Sequence, residues 1–224
     1  MAVAATSPHP DVLKILNDHI KCFLTGKPSA KKYLQPEGTQ NTANWSQILV
    51  SALVRITGRG GEKGTDLIDG SDVKGANWWG AIDTPRLNGF LKAGTKSSVS
   101  GNMKSIDQQP FLFLVNWDYT RTDDQRCRIW VLRSGDKGFR EFAKHWYSRT
   151  WKSNNCQMHP PRDVRNGKHK GKWLDKNVIR GNGYLLEIPL LLCAIYDKKK
   201  KTYSFTHYDP TTLKSGNSII LKKP

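Results

Sequence analysis

The chain has 224 residues, 37% of them hydrophobic, and a formal net charge of +17 with a pI near 9.8. That apolar content suffices for one sizeable core, so a single domain is expected, and no apolar run reaches the length of a membrane span. An excess of positive charge this large makes a polyanion the leading partner class, through release of counterions from phosphates.

The N-terminal "MAVAATSPHP" lacks the basic and apolar segments of a signal peptide. Cys22, Cys127, Cys156 and Cys193 stand far apart with no CxxC pair, which fits free thiols in a reducing cytoplasm. Cys156, His159 and His169 lie close enough in sequence to suggest zinc, but a second cysteine and a closing histidine pair are missing.

In chain order, Pro10-Asp11 opens a helix to about Leu24, carried by Val12, Leu13, Ile15, Leu16, Ile20 and Phe23 at helical spacing. Trp45, Ile48, Leu49, Ala52, Leu53 and Ile56 repeat that period, with Thr42 or Asn44 as N-cap and Gly58 as C-cap. "GRGGEKG" then reads as a hinge; it lacks the Ser or Thr that follows the lysine of a phosphate-cradling loop. "TDLIDGSDVK" carries a hairpin signal in its Asp-Gly, and "PFLFLVNWDY" and "CRIWVLRS" read as two central strands. "DKGFREFAKHWYSRT" returns to helical period, capped by Asp136. "YLLEIPLLLCAIYD" and "TYSFTHYD" read as late strands joined by a tetralysine turn. The plan is α/β, one domain with a central mixed sheet flanked by helices.

Asp66, Asp69 and Asp72 fall within seven residues of a strongly basic chain and are followed by Lys74. A three-residue loop over 68–70, closed by a left-handed glycine, pairs Leu67 with Ser71 and sets Asp66 opposite Asp72. Alternation puts Lys74 on the same face and sends Leu67 and Val73 to the core. Like charges across a strand pair repel, so the arrangement calls for a cation between them. Oxygen ligands and a phosphate partner point to Mg2+, which generates a hydroxide and offsets charge on a phosphate under in-line attack. Lys74 then orients or deprotonates the water. The plain alternative is a solvated turn, since Asp, Gly and Ser all favour turns.

"TDLIDG" followed by "DVK" resembles the core of the PD-(D/E)xK nucleases, and the helix, acidic hairpin and apolar strand around it resemble type II restriction endonucleases. The resemblance implies a restriction-endonuclease-like fold, Asp66 and Asp72 as Mg2+ ligands, and Lys74 as the residue assisting the attacking water. Thr65 stands where that family has Pro, and the two acids are closer than usual, which leaves Asp69 as an alternative first acid and Glu62 as a candidate extra ligand. Helices before the core often supply a Glu in that family; here Gln47 or no residue would take its place.

Arg86 and Asn88, in a Gly- and Asn-rich stretch, suit bidentate contacts to guanine and adenine, although "TPRLNGFLK" also reads as a Pro-started helix. Trp78 and Trp79 read as packing residues before base-stacking ones. From Trp151 to Lys201 the chain holds twelve Lys/Arg against four Asp/Glu. Within it Arg162, Arg165, Lys168, Lys170 and Lys172 suit phosphate contacts, while Trp151 and Trp173 interleave with the charge. This tract lacks an amphipathic helical period, which disfavours a membrane surface. Thr206, His207 and Tyr208 stand at a strand end where they could reach DNA, with a structural role for His207 equally open.

The expectation is a Mg2+-dependent type II restriction endonuclease acting on double-stranded DNA as a cytoplasmic homodimer. Its single nuclease domain, 1–224, would have a catalytic core over about 45–150, a basic DNA-binding region over 151–182, and C-terminal strands to 224. Two other readings stay open: a structure-specific repair or recombination nuclease, and a non-catalytic basic nucleic-acid-binding protein.

Overall fold

Two apolar runs with opposite chain direction build the centre of the molecule. In the computed structural model, which describes residues 7–25, 42–59, 64–77, 85–88, 103–118, 125–149, 156–160 and 177–224, β3 (Phe111–Asp118) and β4 (Arg126–Arg133) pair antiparallel along their whole length. On one side of them β1 (Asp72–Asn77) joins β3 in parallel. On the other, β8 (Leu190–Asp197) pairs with β4 and β9 (Thr202–Tyr208) with β8, both antiparallel. The five-stranded mixed sheet has the order β1-β3-β4-β8-β9, so among the described residues β1 and β9 are its edges.

Strand alternation divides the core into two layers. Phe113, Val115 and Trp117 of β3, with Ile129 and Val131 of β4, pack beneath α1 (Pro10–Thr25) and α2 (Thr42–Val54) through Val12, Leu16, Ile20, Leu49 and Leu53. Leu112, Leu114, Trp130 and Leu132 point to the opposite face. There they meet Phe139, Phe142, Ala143 and Trp146 of α4 (Lys137–Arg149), Leu87 of β2 (Leu87–Asn88) and Ile106 of α3 (Lys104–Asp107). β6 (Val178–Gly181), β7 (Tyr184–Glu187) and β10 (Ile219–Lys222) form a smaller antiparallel sheet on that face, and β2 pairs with β5 (Gln157–Met158).

Several boundaries differ from expectation. The second helix stops at Val54 because Arg55 takes a left-handed conformation, φ 58°; Gly58 lies beyond it and bridges Leu67 instead of capping the helix. Residues 87–88 are strand, which excludes a helix through "TPRLNGFLK" at that point. The apolar run 184–197 breaks at Pro189 into strands of two different sheets, since proline has no amide to donate to a ladder. Asp136 does cap α4: its Oδ1 accepts the Phe139 amide at 2.8 Å, and the same buried carboxylate takes the Ser218 amide at 2.6 Å.

β1 lies tight against the start of α2. Ser46 Oγ donates to the Thr42 carbonyl at 2.6 Å and accepts from Trp117 Nε1 at 2.9 Å, and Asn77 Nδ2 donates to Thr42 Oγ1. Gly75 makes this approach possible: a Cβ there would run into Ser46 Oγ and come within 2.9 Å of the Thr42 carbonyl oxygen. Gly75→Ala is therefore expected to destabilise the protein by about 1–3 kcal/mol, a fall of a few degrees in thermal midpoint that a melting curve will register.

Candidate active site

The segment between α2 and β1 folds back through a tight turn. Gly70 donates its amide to the Leu67 carbonyl at 3.1 Å, and Leu67 donates to the Ser71 carbonyl at 3.0 Å. Gly70 has φ 93°, a conformation that costs glycine nothing and strains any residue bearing a Cβ. This is the three-residue loop that the sequence suggests. The arm before it, however, is not a strand laddered to β1, because Leu67 bridges Gly58. Asp66 reaches β1 with its side chain instead: Asp66 Oδ2 accepts the Val73 amide at 2.8 Å. Among the described residues β1 has no strand on its outer side, and this carboxylate satisfies one of its amides.

That bond brings Asp66 beside Asp72, and the two carboxyls come within hydrogen-bonding reach of each other. Lys74 Nζ donates to Asp72 Oδ1 at 2.6 Å and stands 3.7 Å from Asp66 Oδ2. Asp72 is buried, with a side chain 5% exposed, whereas Asp66 and Lys74 are half-buried at 30% and 21%. Burial, and next the hydrogen bond with Asp66, push the Asp72 carboxyl up from 3.8 to about 7; Lys74 pulls it down without cancelling them. Two carboxylates thus face a single ammonium.

Asp69 is elsewhere engaged. Its two carboxylate oxygens accept the Ser71 amide and hydroxyl, each at 2.9 Å, an Asx turn that stiffens the loop. Glu62 lies outside the described residues. Among the described residues no group of three or more His, Cys, Asp or Glu side chains gathers to hold a metal, so the Asp66–Asp72 pair would need water and substrate oxygens to complete a cation's shell. Hard oxygen donors facing a single ammonium fit a hard divalent cation.

Residues 30–202 match the family described as MamI restriction endonuclease. The chain belongs to that family. Comparison with curated proteins and with solved structures found no match. In this restriction endonuclease family member, the α/β sheet and its flanking helices agree with the restriction-endonuclease-like architecture that the sequence suggests. No described helix is long and apolar enough to cross a membrane.

The remaining candidates are spread over the molecule. Arg86 is exposed beside β2, and Asn88 is in β2, on the same side of the sheet as α4. Thr206 and His207 lie on β9, four strand spacings or roughly 19 Å across the sheet from β1. There Thr206 Oγ1 donates to the Cys193 carbonyl at 3.3 Å, and His207 Nε2 lies 2.9 Å from the Leu190 carbonyl oxygen. Arg162, Arg165, Lys168, Lys170, Lys172, Trp78, Trp79, Trp151, Trp173 and His169 lie outside the described residues. Cys127, Cys156 and Cys193 are buried free thiols; burial pushes Cys127 and Cys156 up, which keeps them protonated and unreactive.

Sequence patterning missed one polar group on this sheet. Asp118 Oδ2 accepts from Arg126 Nε at 3.1 Å and Arg128 Nη2 at 2.7 Å, Asn116 Nδ2 donates to Asp118 Oδ1, and Arg128 lies 4.8 Å over the Trp130 ring. The available signal was parity. Asn116 and Asp118 continue the alternation of Leu112 and Leu114, and Arg126 and Arg128 that of Trp130 and Leu132, so charge stands where the pattern predicts inward side chains.

The raised Asp72 carboxyl has a consequence for stability. The unfolded chain releases this proton near 4 and the folded one near 7, so rising pH favours the unfolded state between those values, by at most about 1.4 kcal/mol per pH unit. Asp72→Asn lacks this loss. In urea titrations without divalent metal, its stability relative to wild type is expected to rise from pH 4 to pH 7 and level off above; a difference independent of pH would refute the assignment.

Proposed function

We propose that this chain is a Mg2+-dependent type II restriction endonuclease, hydrolysing phosphodiester bonds of double-stranded DNA at a specific short sequence. The observation that carries the reading is the meeting of Asp66, Asp72 and Lys74 at the edge of the central sheet. In a chain of net charge +17, two carboxylates sharing one ammonium form a local negative site inside a globally positive field.

Asp66 and Asp72 would hold the cation. When bound, it supplies positive charge to the scissile phosphate and makes a coordinated water more acidic. Asp72 must be ionised for this, and its carboxyl near 7 puts that ionisation at the pH of the cell. Lys74 Nζ, held by Asp72, would orient or deprotonate the attacking water and offset negative charge growing on the phosphate. Water attacks phosphorus in line and gives up a proton to Lys74 or to solvent, the opposite P–O bond breaks, and its leaving oxygen takes a proton from solvent.

In this reading 1–224 is one nuclease domain, with 45–150 as its catalytic core and 151–182 as a basic DNA-binding region. Arg86 and Asn88 would read bases, Arg162, Arg165, Lys168 and Lys170 would follow phosphates, and Thr206 and His207 would reach a groove or the DNA backbone. A homodimer would cut both strands of a twofold-symmetric site, since one such centre cuts one strand. The protein acts in the cytoplasm.

Plasmid DNA incubated with the protein is expected to yield discrete fragments with Mg2+ and none without it. Junction-only cutting or random nicking would instead indicate a structure-specific nuclease, and retardation without cleavage a binding protein. Asp72→Ala and Lys74→Ala should each slow cleavage by at least about 100-fold while DNA binding survives; undiminished cutting by either variant would remove that residue from the mechanism.

A further inference from the structure

Gln47 lies on α2, away from the turn and strand that carry the acids, yet its side chain grips the segment leading to Asp66. Its Nε2 donates to the Arg59 carbonyl at 2.6 Å and to the Asp66 carbonyl at 2.6 Å. A side-chain amide nitrogen has two hydrogens, so both are committed here. The Asp66 carbonyl accepts a second bond from the Arg59 amide at 2.8 Å, which occupies both of its lone pairs.

On its other side, Asp66 is tied to the turn and to β1: its amide donates to the Ser71 carbonyl at 3.1 Å, and its carboxylate accepts the Val73 amide at 2.8 Å. The backbone of Asp66 is therefore moored to a helix and its carboxylate to a strand. α2 and β1 are in turn locked together where Gly75 meets Ser46.

From these contacts we infer that Gln47 is a positioning residue, which sets the Asp66 carboxylate against Asp72 by pinning the Asp66 carbonyl to α2. This rests on the reading of Asp66 and Asp72 as cation ligands. A neutral amide suits the task because it offers two hydrogens to two carbonyl oxygens; a methionine of similar length offers none. Without Gln47 the Arg59 amide still holds the Asp66 carbonyl, so the segment keeps its backbone bridge and loses its mooring to the helix.

The test uses the full chain and Mn2+ alone, with binding followed by calorimetry and by the electron paramagnetic signal of the free ion. Wild type is expected to bind Mn2+, Asp72→Asn to lose it, and Gln47→Met to bind about 10-fold more weakly, as when a group that orients a metal ligand is removed. Cleavage by Gln47→Met should recover toward the wild-type rate as Mn2+ is raised, with metal-free DNA affinity unchanged. A lower unfolding midpoint with unchanged Mn2+ affinity would reduce Gln47 to a structural residue and overturn the inference. Tighter Mn2+ binding by Gln47→Glu would also overturn it, because the side chain would then face the ion. If Gln47→Met does not fold, Gln47→Ala is held to the same criteria. Absence of Mn2+ binding by wild type, or its persistence in Asp72→Asn, would reject the ligand assignment and this inference together, whereas a Gln47 variant that binds like wild type rejects the inference alone.

Discussion

The hydrogen bond from the Val73 amide to Asp66 Oδ2 holds the candidate site together. Without it, Asp66 would be one more acid on a surface turn, free to swing into water and away from Asp72. With it, a carboxylate is fixed beside a second, buried one, and a single lysine is left to balance both. Desolvation of the charged form, and next the hydrogen bond with Asp66, explain why Asp72 keeps its proton to about 7. A fold that maintains such a pair does so through stability gained elsewhere.

That stability comes from the two apolar layers on either side of the central sheet. Trp117 shows how the layers bear on the site. Its ring is fully buried and stacks on His19 at 4.0 Å between centroids, while its Nε1 donates to Ser46 at the start of α2. His19 and Trp45 stand nearly perpendicular with ring centroids 5.0 Å apart, and burial drives the His19 imidazole down to about 3, so it stays neutral within this aromatic cluster. The cluster fixes α1 and α2 on the sheet. α2 then fixes β1 through Ser46 and Gly75, and the turn before β1 through Gln47. Every support of the acidic pair thus leads back to packed, dry structure.

The group formed by Asn116, Asp118, Arg126 and Arg128 follows a different logic. Asp118 and Arg128 are almost fully buried, and dehydrating both charges consumes most of what their attraction returns. Such a pair adds little net stability but makes any other register of β3 against β4 costly, because a slip would leave a charge buried without its partner. It lies on the face of the sheet that Asp72 and Lys74 share by strand alternation, toward the other end of the strands.

Local elements and the chemistry on offer can be read from residues near one another in the chain. Helical period marked α1, α2 and α4, apolar runs marked β3 and β4, and Asp136 marked a cap, because each of these depends on neighbours a few residues apart. The same short range made the loop over 68–70 legible and made Asp66, Asp72 and Lys74 candidates. How those acids meet depends on contacts between distant parts of the chain. The expected ladder between two arms of a hairpin is absent, and a side chain on a backbone amide takes its place, with the arm itself held by Gly58 and Gln47 from another element. The break at Pro189 into two sheets, the left-handed end of α2 at Arg55 and the buried Asp118–Arg128 pair were likewise decided by partners distant in sequence. Periodicity reports which side of an element is apolar; it carries no information on which distant backbone or charge that side will meet, and the geometry of this site depends on such meetings.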